Sequence, residues 1–204
     1  MASALLGGTM LSELVNGEQK DIISEVIAGN TLLALAHAEP DSFYDLAHVE
    51  TTATKDGDNW LLNGRKAVVL NGDTADQLIV TARVSGGTWD EDGLSAFLLP
   101  AATDGVEIRG YPTIDGLHAA EIVLNDVQVG ADAWLGAPGQ AYAAVELAVA
   151  RANVALVSEA VGLMEVCSAM TLEYLKTRKQ FGVPIGKFQA LQHRMATVLT
   201  EIEQ

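Results

Sequence analysis

The sequence predicts an α+β protein, with an antiparallel β-sandwich or barrel in the middle and helical segments on both sides. Three patterns carry this. Tight-turn pairs recur through the middle of the chain at Asp56-Gly57, Asn63-Gly64, Asn71-Gly72, Asp92-Gly93 and Asp115-Gly116. Between them lie short β-branched runs, the signature of hairpins. Outside this zone the apolar residues recur at helical spacing instead.

Residues 2–28 read as helical. Ile22, Ile23, Val26 and Ile27 form an apolar stripe, and Gly29 follows as a C-cap. From about 41 to 130 the strand-like runs are VETTATK, NWLLN, KAVVL, QLIVTARV, LSAFLLP and AEIVLNDV. Pro138-Gly139 then opens an Ala-rich helix running to about Lys179, with apolar positions from Val145 to Leu175. A turn at Gly182–Pro184 leads into a final helix near Lys187. That helix reaches Gln204 without a Gly, Pro or basic stop signal. Neither helical part has enough apolar surface to enclose a core alone, so both expose apolar stripes.

The net charge of −15 excludes a nucleic-acid groove and an anionic membrane surface as partners. No run reads as long and apolar enough to span a bilayer. The single Cys167 lies in an apolar helix and reads as a buried thiol in a reducing compartment. The four His are scattered, and no zinc-type Cys/His spacing occurs. The start lacks a basic n-region and contains Glu13, which makes a poor signal peptide. The expectation is a cytoplasmic protein with a mainly aliphatic core, since aromatics are only 5% of the chain.

The most informative segment is RKQFGVPIGKFQALQH, from Arg178 to His193. Arg and Gln side chains at a helix–turn–helix corner can hydrogen-bond anions and amides from a rigid platform. The segment resembles the signature of the acyl-CoA dehydrogenase family, in which Arg-x-x-Phe-Gly is followed by Phe-Gln in the next helix. Arg178, Phe181, Gly182, Pro184, Ile185, Phe188 and Gln189 agree with it. In that family this corner reaches across a subunit interface to the adenosine and pyrophosphate of a neighbour's FAD. The resemblance makes Arg178 the pyrophosphate partner. It sets Phe181 against the adenine and Gln189 against the adenosine half, with Gln180 and Ile185 beside them.

Two upstream segments resemble the same family. In LALAHAEPDSFYD, Ala36, Glu39, Pro40 and Asp45 agree with Phe-Ala-x-Thr-Glu-Pro-x-x-Gly-Ser-Asp. Ala38 replaces a Thr that hydrogen-bonds the flavin, so only its backbone N–H remains for that contact. Phe43 replaces the Gly. Tyr44 replaces a Ser that holds the CoA end of the substrate. In NGRKAVVLNGDTAD, Asn63, Gly64, Lys66, Asn71, Ala75 and Asp76 agree. Val68 replaces the aromatic that covers the flavin ring, and Leu70 the Thr or Ser that donates to flavin N5. The cofactor contacts implied by the resemblance are therefore Leu35, His37, Ala38, Val68, Leu70, Arg178, Gln180, Phe181, Ile185 and Gln189, with Tyr44 toward the substrate.

The resemblance divides the chain into a remnant of an N-terminal helical domain (1–37), a β-domain (38–135) and the first helices of a C-terminal helical domain (136–204). This is a truncated form of the family fold. The implied reaction is α,β-desaturation of an acyl-CoA by an FAD enzyme working as a homo- or hetero-oligomer. The looser likeness is to small subunits acting on dicarboxylic acyl-CoAs. The family's usual base lies beyond Gln204. The alternative position is Ala152, and neither Glu146 nor Glu159 matches the motif, so no base is identified. Two further readings stand beside the enzyme. One is a non-catalytic subunit that lends Arg178 to another chain's FAD; the other is an acidic sandwich domain that binds other proteins.

Overall fold

A computed structural model describes residues 1–15 and 20–204. Within them the chain divides into two compact units, 1–152 and 153–204. The expected helix over 2–28 is present as a π-helical turn Ala2–Gly7, then α1 (Gly8–Leu14) and α2 (Lys20–Ala28). Its stretch 16–19 lies outside the described residues. Gly29 closes α2 at φ +77°, a left-handed cap that glycine adopts without a Cβ penalty.

The first unit is built on one eight-stranded sheet. Its strands are β1 (Leu33–Ala36), β2 (Thr52–Asp56), β3 (Asn59–Leu70), β4 (Gln77–Arg83), β5 (Leu94–Pro100), β6 (Val106–Pro112), β7 (His118–Val129) and β8 (Trp134–Leu135). The order is β6-β7-β3-β2-β4-β5-β8, mostly antiparallel. The sheet thus begins at Leu33, earlier than the turn pairs suggested. β1 and β2 share one edge of β4, and both run parallel to it: β1 lies along Gln77–Val80, and β2 meets it only at Arg83. Four neighbour steps separate β3 from β8, or about 19 Å in a flat sheet. Yet the rings of Trp60 and Trp134 lie 4.8 Å apart, with Phe97 4.9 Å from Trp134. The sheet must curl, and these few aromatics join its two sides.

Period-two alternation fills two cores. Ala34, Ala36, Leu78, Val80, Phe97 and Leu99 point into the curled sheet. Leu33, Leu35, Ile79 and Ala96 point the other way, onto Met10, Leu11 and Leu14 of α1 and onto Ala144, Val145 and Ala148. The last three open α3 (Tyr142–Thr177).

Four of the five turn pairs fall in turns or just beyond a strand end. Asn63-Gly64 does not: it lies inside β3, where pairing with β7 slips between Leu62 and Gly64. A Cβ at Gly64 would stand 2.7 Å from Thr51 Cα, so the glycine serves close strand approach and not a hairpin. β6 was absent from the strand runs because it is a half-exposed edge carrying Arg109, Gly110 and Pro112.

In the second unit, α3 continues from Asn153. A two-strand hairpin follows, β9 (Lys179–Gln180) with β10 (Val183–Pro184), and then α4 (Gln189–Glu203). Two expectations fail here. Cys167 is exposed, because it lines an open groove between α3 and α4 beside Met195 and Val198 and is not packed into a core. And α3 is, by length and composition, long and apolar enough to cross a bilayer. Between Arg151 and Glu173 the only charges are Glu159 and Glu165, so the run is less interrupted than the sequence reading allowed. The exposed apolar stripe expected of both helical parts is present on α3, with Val154, Val157, Leu163, Val166 and Met170 all more than half exposed, whereas Ile22, Ile23 and Val26 of α2 pack partly buried against the second core.

One polar cluster sits inside the first unit. Lys66 Nζ lies 2.7 Å from Glu39 Oε1, and both side chains are buried. Glu39 also accepts from the Glu50 and Thr51 N–H groups and from Thr51 Oγ1. Lys66 donates further to His37 O and Thr81 Oγ1, and Thr81 Oγ1 is hydrogen-bonded to His37 Nδ1. Burial lowers Lys66 to about 8, against the attraction of Glu39. Burial and the Lys66 charge push His37 down to about 3. Burial would raise Glu39, but Lys66, the Thr51 hydroxyl and the Glu50 N–H outweigh it and hold the carboxyl below its ordinary value.

Removing one partner of a buried pair leaves the other uncompensated. Lys66→Met should therefore lower the stability of the chain by about 3–5 kcal/mol in urea unfolding, and Lys66→Met with Glu39→Gln by far less. A double variant no more stable than the single one would contradict this account.

Acid sensitivity follows with its sign. His37 titrates lower folded than unfolded, so the unfolded chain takes up the proton first. Its share of stability is complete above pH 6.5 and is lost as pH falls toward 3. Glu39 adds a loss below about 4.5. Unfolding free energy measured against pH should fall from 6.5 downward, and His37→Gln should flatten the upper part of that slope.

Candidate functional site

Two segments distant in sequence meet beside this polar cluster. The first is the loop after β1. Glu39 and Ser42 close it into a turn: Ser42 Oγ donates to Glu39 O and accepts from Glu39 N–H, and Asp45 N–H donates to Ser42 O. The chain then passes through two left-handed residues, Phe43 at φ +46° and Tyr44 at φ +77°. The family pattern has Gly at the first. The backbone shape that Gly favours is kept with a Phe in its place, at a cost of about 1–3 kcal/mol. Both rings face solvent, Tyr44 completely.

The second segment is the end of β3, where pairing with β7 slips again between Lys66 and Val69. Val68 sits at φ +52°, a true outlier for a β-branched residue. This bulge shifts the inward–outward phase of the strand by one residue. Lys66 and Val69 are both buried, while Val68 and Leu70 are turned outward. Strict alternation from Lys66 would have buried Val68 and Leu70 and exposed Val69.

Ala67 N–H donates to Ala38 O at 2.8 Å, so the loop and the bulge form one surface. Ala38, Val68 and Leu70 are exposed on it. Ala38 N–H takes no protein partner among the described residues. An apolar wall beside a free backbone donor suits a flat heteroaromatic ring with polar edges. Leu70 offers no hydroxyl, so a donor to flavin N5 is missing from that side chain. The residues fit the ring of FAD as a surface, with two of the family's side-chain hydrogen bonds absent, at Ala38 and at Leu70.

Other sequence-predicted residues are placed differently. The Leu35 side chain is buried in the core under α1. The His37 ring is buried against Thr81, which leaves only its backbone near Ala38. Ala152 is buried, and Glu146 and Glu159 are exposed.

The remaining predicted residues lie in the second unit. Gln180 pairs with Val183 across Phe181 and Gly182, whose φ values are +53° and +80°. Two positive φ values make a type I′ turn, which matches strand twist. Ile185 N–H donates to Arg178 O, fixing the base of the hairpin. The Phe181 ring is 91% exposed and its centroid lies 6.1 Å from that of Phe188. Arg178 and Gln189 are exposed, and no ion pair engages Arg178 among the described residues. The corner thus presents a cation, two aromatic rings and an amide on a short rigid hairpin, a suitable set for a dinucleotide's anionic and aromatic halves.

Sequence reasoning did not pair Glu39 with Lys66. Both agree with the family's motifs, and a Lys at an inward phase of a strand demands a buried anion. That signal was present but was not used.

The descriptions of known families agree with this picture. The acyl-CoA dehydrogenase middle domain matches residues 34–127, and the acyl-CoA dehydrogenase C-terminal domain matches 137–204. The chain is 31% identical to a probable acyl-CoA dehydrogenase, YngJ, of Bacillus subtilis (strain 168), over 99% of this chain and 54% of that protein. It superposes on butyryl-CoA dehydrogenase from Megasphaera elsdenii with a TM-score of 0.90 and 29% identity, over 99% of this chain and 54% of that one. The FAD complex of PigA matches with a TM-score of 0.88 and 29% identity, over 96% and 52% of the two chains. The chain therefore spans about half the length of the relatives it matches. With a curled sheet under the first description and the α3–hairpin–α4 corner under the second, the chain belongs to the acyl-CoA dehydrogenase family.

Proposed function

We propose that this chain is the FAD-holding middle of an acyl-CoA dehydrogenase, part of an enzyme for α,β-desaturation of an acyl-CoA thioester. The observation that carries this is the bulge that turns Val68 and Leu70 outward beside Ala38. A strand with no ligand to meet gains nothing by exposing two aliphatic side chains at the cost of a strained Val. In this reading 1–37 is the end of the family's N-terminal helical domain, 38–135 its β-domain and 136–204 the start of its C-terminal helical domain.

Each residue then has a role. Val68 and Leu70 face the flavin ring, and Ala38 donates its backbone N–H to the ring edge, with the backbone of Leu35 and His37 leading into it. Arg178 of a neighbouring subunit pairs with the pyrophosphate. Phe181 packs on the adenine, and Gln180, Ile185 and Gln189 border the adenosine half. Tyr44 borders the CoA end of the substrate. FAD, when bound, supplies the hydride acceptor. The setting is a cytoplasmic homo- or hetero-oligomer.

A second reading has its own support. Ala152 is a buried methyl at the family's alternative base position, and Leu70 cannot donate to N5. These favour a non-catalytic subunit that shares FAD with a full-length partner.

Arg178→Ala should weaken FAD retention in the assembled oligomer by about 2 kcal/mol, the worth of a charge-assisted hydrogen bond. Equal FAD affinity of variant and parent in equilibrium dialysis would remove Arg178 from the site.

A general base contributes about 100- to 10,000-fold in rate. The chain alone, loaded with FAD and mixed with saturated acyl-CoAs, should therefore show no bleaching of the flavin band. Bleaching by the chain alone would establish a base within it, and Glu146→Gln and Glu159→Gln would then locate it.

A further inference from the structure

We infer that Glu39 and Lys66 are positioning residues for the flavin, acting through the two backbone segments that meet the ring. This rests on the proposal that FAD packs on Ala38, Val68 and Leu70. The geometry is specific. β1 and β2 share one edge of β4, and the chain between them is tied to the sheet's backbone near its start by Ala67 N–H to Ala38 O, at the end of β3, and at its end by Arg83 N–H to Thr51 O, on β4. Lys66 projects from β3 into that gap. Its ammonium donates to His37 O, one residue before Ala38, and to Glu39 Oε1, one residue after it. Glu39 in turn accepts from the N–H groups of Glu50 and Thr51, where the chain re-enters the sheet. Lys66 itself is two residues before Val68, at the start of the bulge. One buried pair thus ties both faces of the ring surface, the loop through its carbonyl and the bulge through its own backbone.

The pair does not touch the exposed surface, since both side chains are buried. Its effect on a bound ring must pass through the placement of Ala38 N–H and of the Val68 and Leu70 side chains. The groups facing Lys66 are Glu39 and His37 from the loop, Thr51 before β2, and Thr81 and the Arg83 charge from β4. Glu39 is the one anion among them, and His37 stays neutral through the physiological range. Loss of the Lys66 proton, centred at about 8, removes the charge from its hydrogen bonds to Glu39 and His37 O. It leaves the other contacts of the cluster standing, which gives the role a pH signature.

The test uses FAD titrated into the full chain at pH values either side of about 8. Flavin fluorescence quenching gives affinity, and visible circular dichroism of the bound flavin reports its orientation. The parent should lose affinity by about tenfold as pH rises through this range, the scale of one misplaced hydrogen bond. Its flavin dichroism should change over the same range. The double variant Lys66→Met with Glu39→Gln should bind FAD more weakly, with altered dichroism and a flat pH profile. Arg178→Ala should bind more weakly too but keep the parent's profile, because its contact lies at the pyrophosphate. A flat parent profile, or a double variant with the parent's affinity and profile, overturns the inference and leaves the FAD site standing. A parent that binds no FAD at any pH overturns both. If the double variant does not fold, the parent's profile decides alone.

Discussion

A carboxylate and an ammonium 2.7 Å apart, both removed from water, are the constraint around which the first unit is arranged. Burying either alone would cost several kcal/mol, so neither segment can take its place without the other. The pair is satisfied only where β1, the entry to β2, β3 and β4 all come together. It needs the Glu50 and Thr51 N–H groups, Thr51 Oγ1, Thr81 Oγ1 and the His37 carbonyl at once. Apolar packing is tolerant of small slips. A network of this kind selects one register.

Two irregularities in β3 complement it. At Gly64 the absent side chain lets the strand come close to Thr51, beside the carboxylate's donors. At Val68 the extra residue reverses which side chains face out. Lys66 lies between them, pointing inward. One strand thereby carries a structural charge on its inner face and an aliphatic ring surface on its outer face, only two residues apart.

Much of this was legible in the sequence. Helical spacing placed α3 and α4, and Asp-Gly and Asn-Gly pairs placed most turns, because those patterns are local. What escaped depends on distant contacts. β1 is four residues of continuous apolar sequence, which no periodicity can separate from a helix end. Gly64 looks like a turn until Thr51 is beside it. Cys167 was assigned to the interior because an apolar helix implies cover, and the sequence does not say what provides it. For the site, the resemblance chose Ala38, Val68, Leu70 and the Arg178 corner. The inward turn of His37 and Leu35 could not be read from a motif, since a motif records residue types and not the direction of a side chain.

The closeness of Trp60 and Trp134 has a consequence for how the chain acquires its shape. The two residues lie far apart in sequence, on β3 and β8, and the sheet's curl is complete only when they meet. β1 likewise waits for β4, its partner 44 residues on. Long loops must close before such contacts give any return, so folding of this unit belongs to the slow, non-local class. During that interval the strands of a half-formed sheet stand with unpaired edges. The sheet therefore has its greatest exposure to wrong partners before Trp134 closes it, and the −15 net charge, which does little for the finished fold, keeps like chains apart while they are still open.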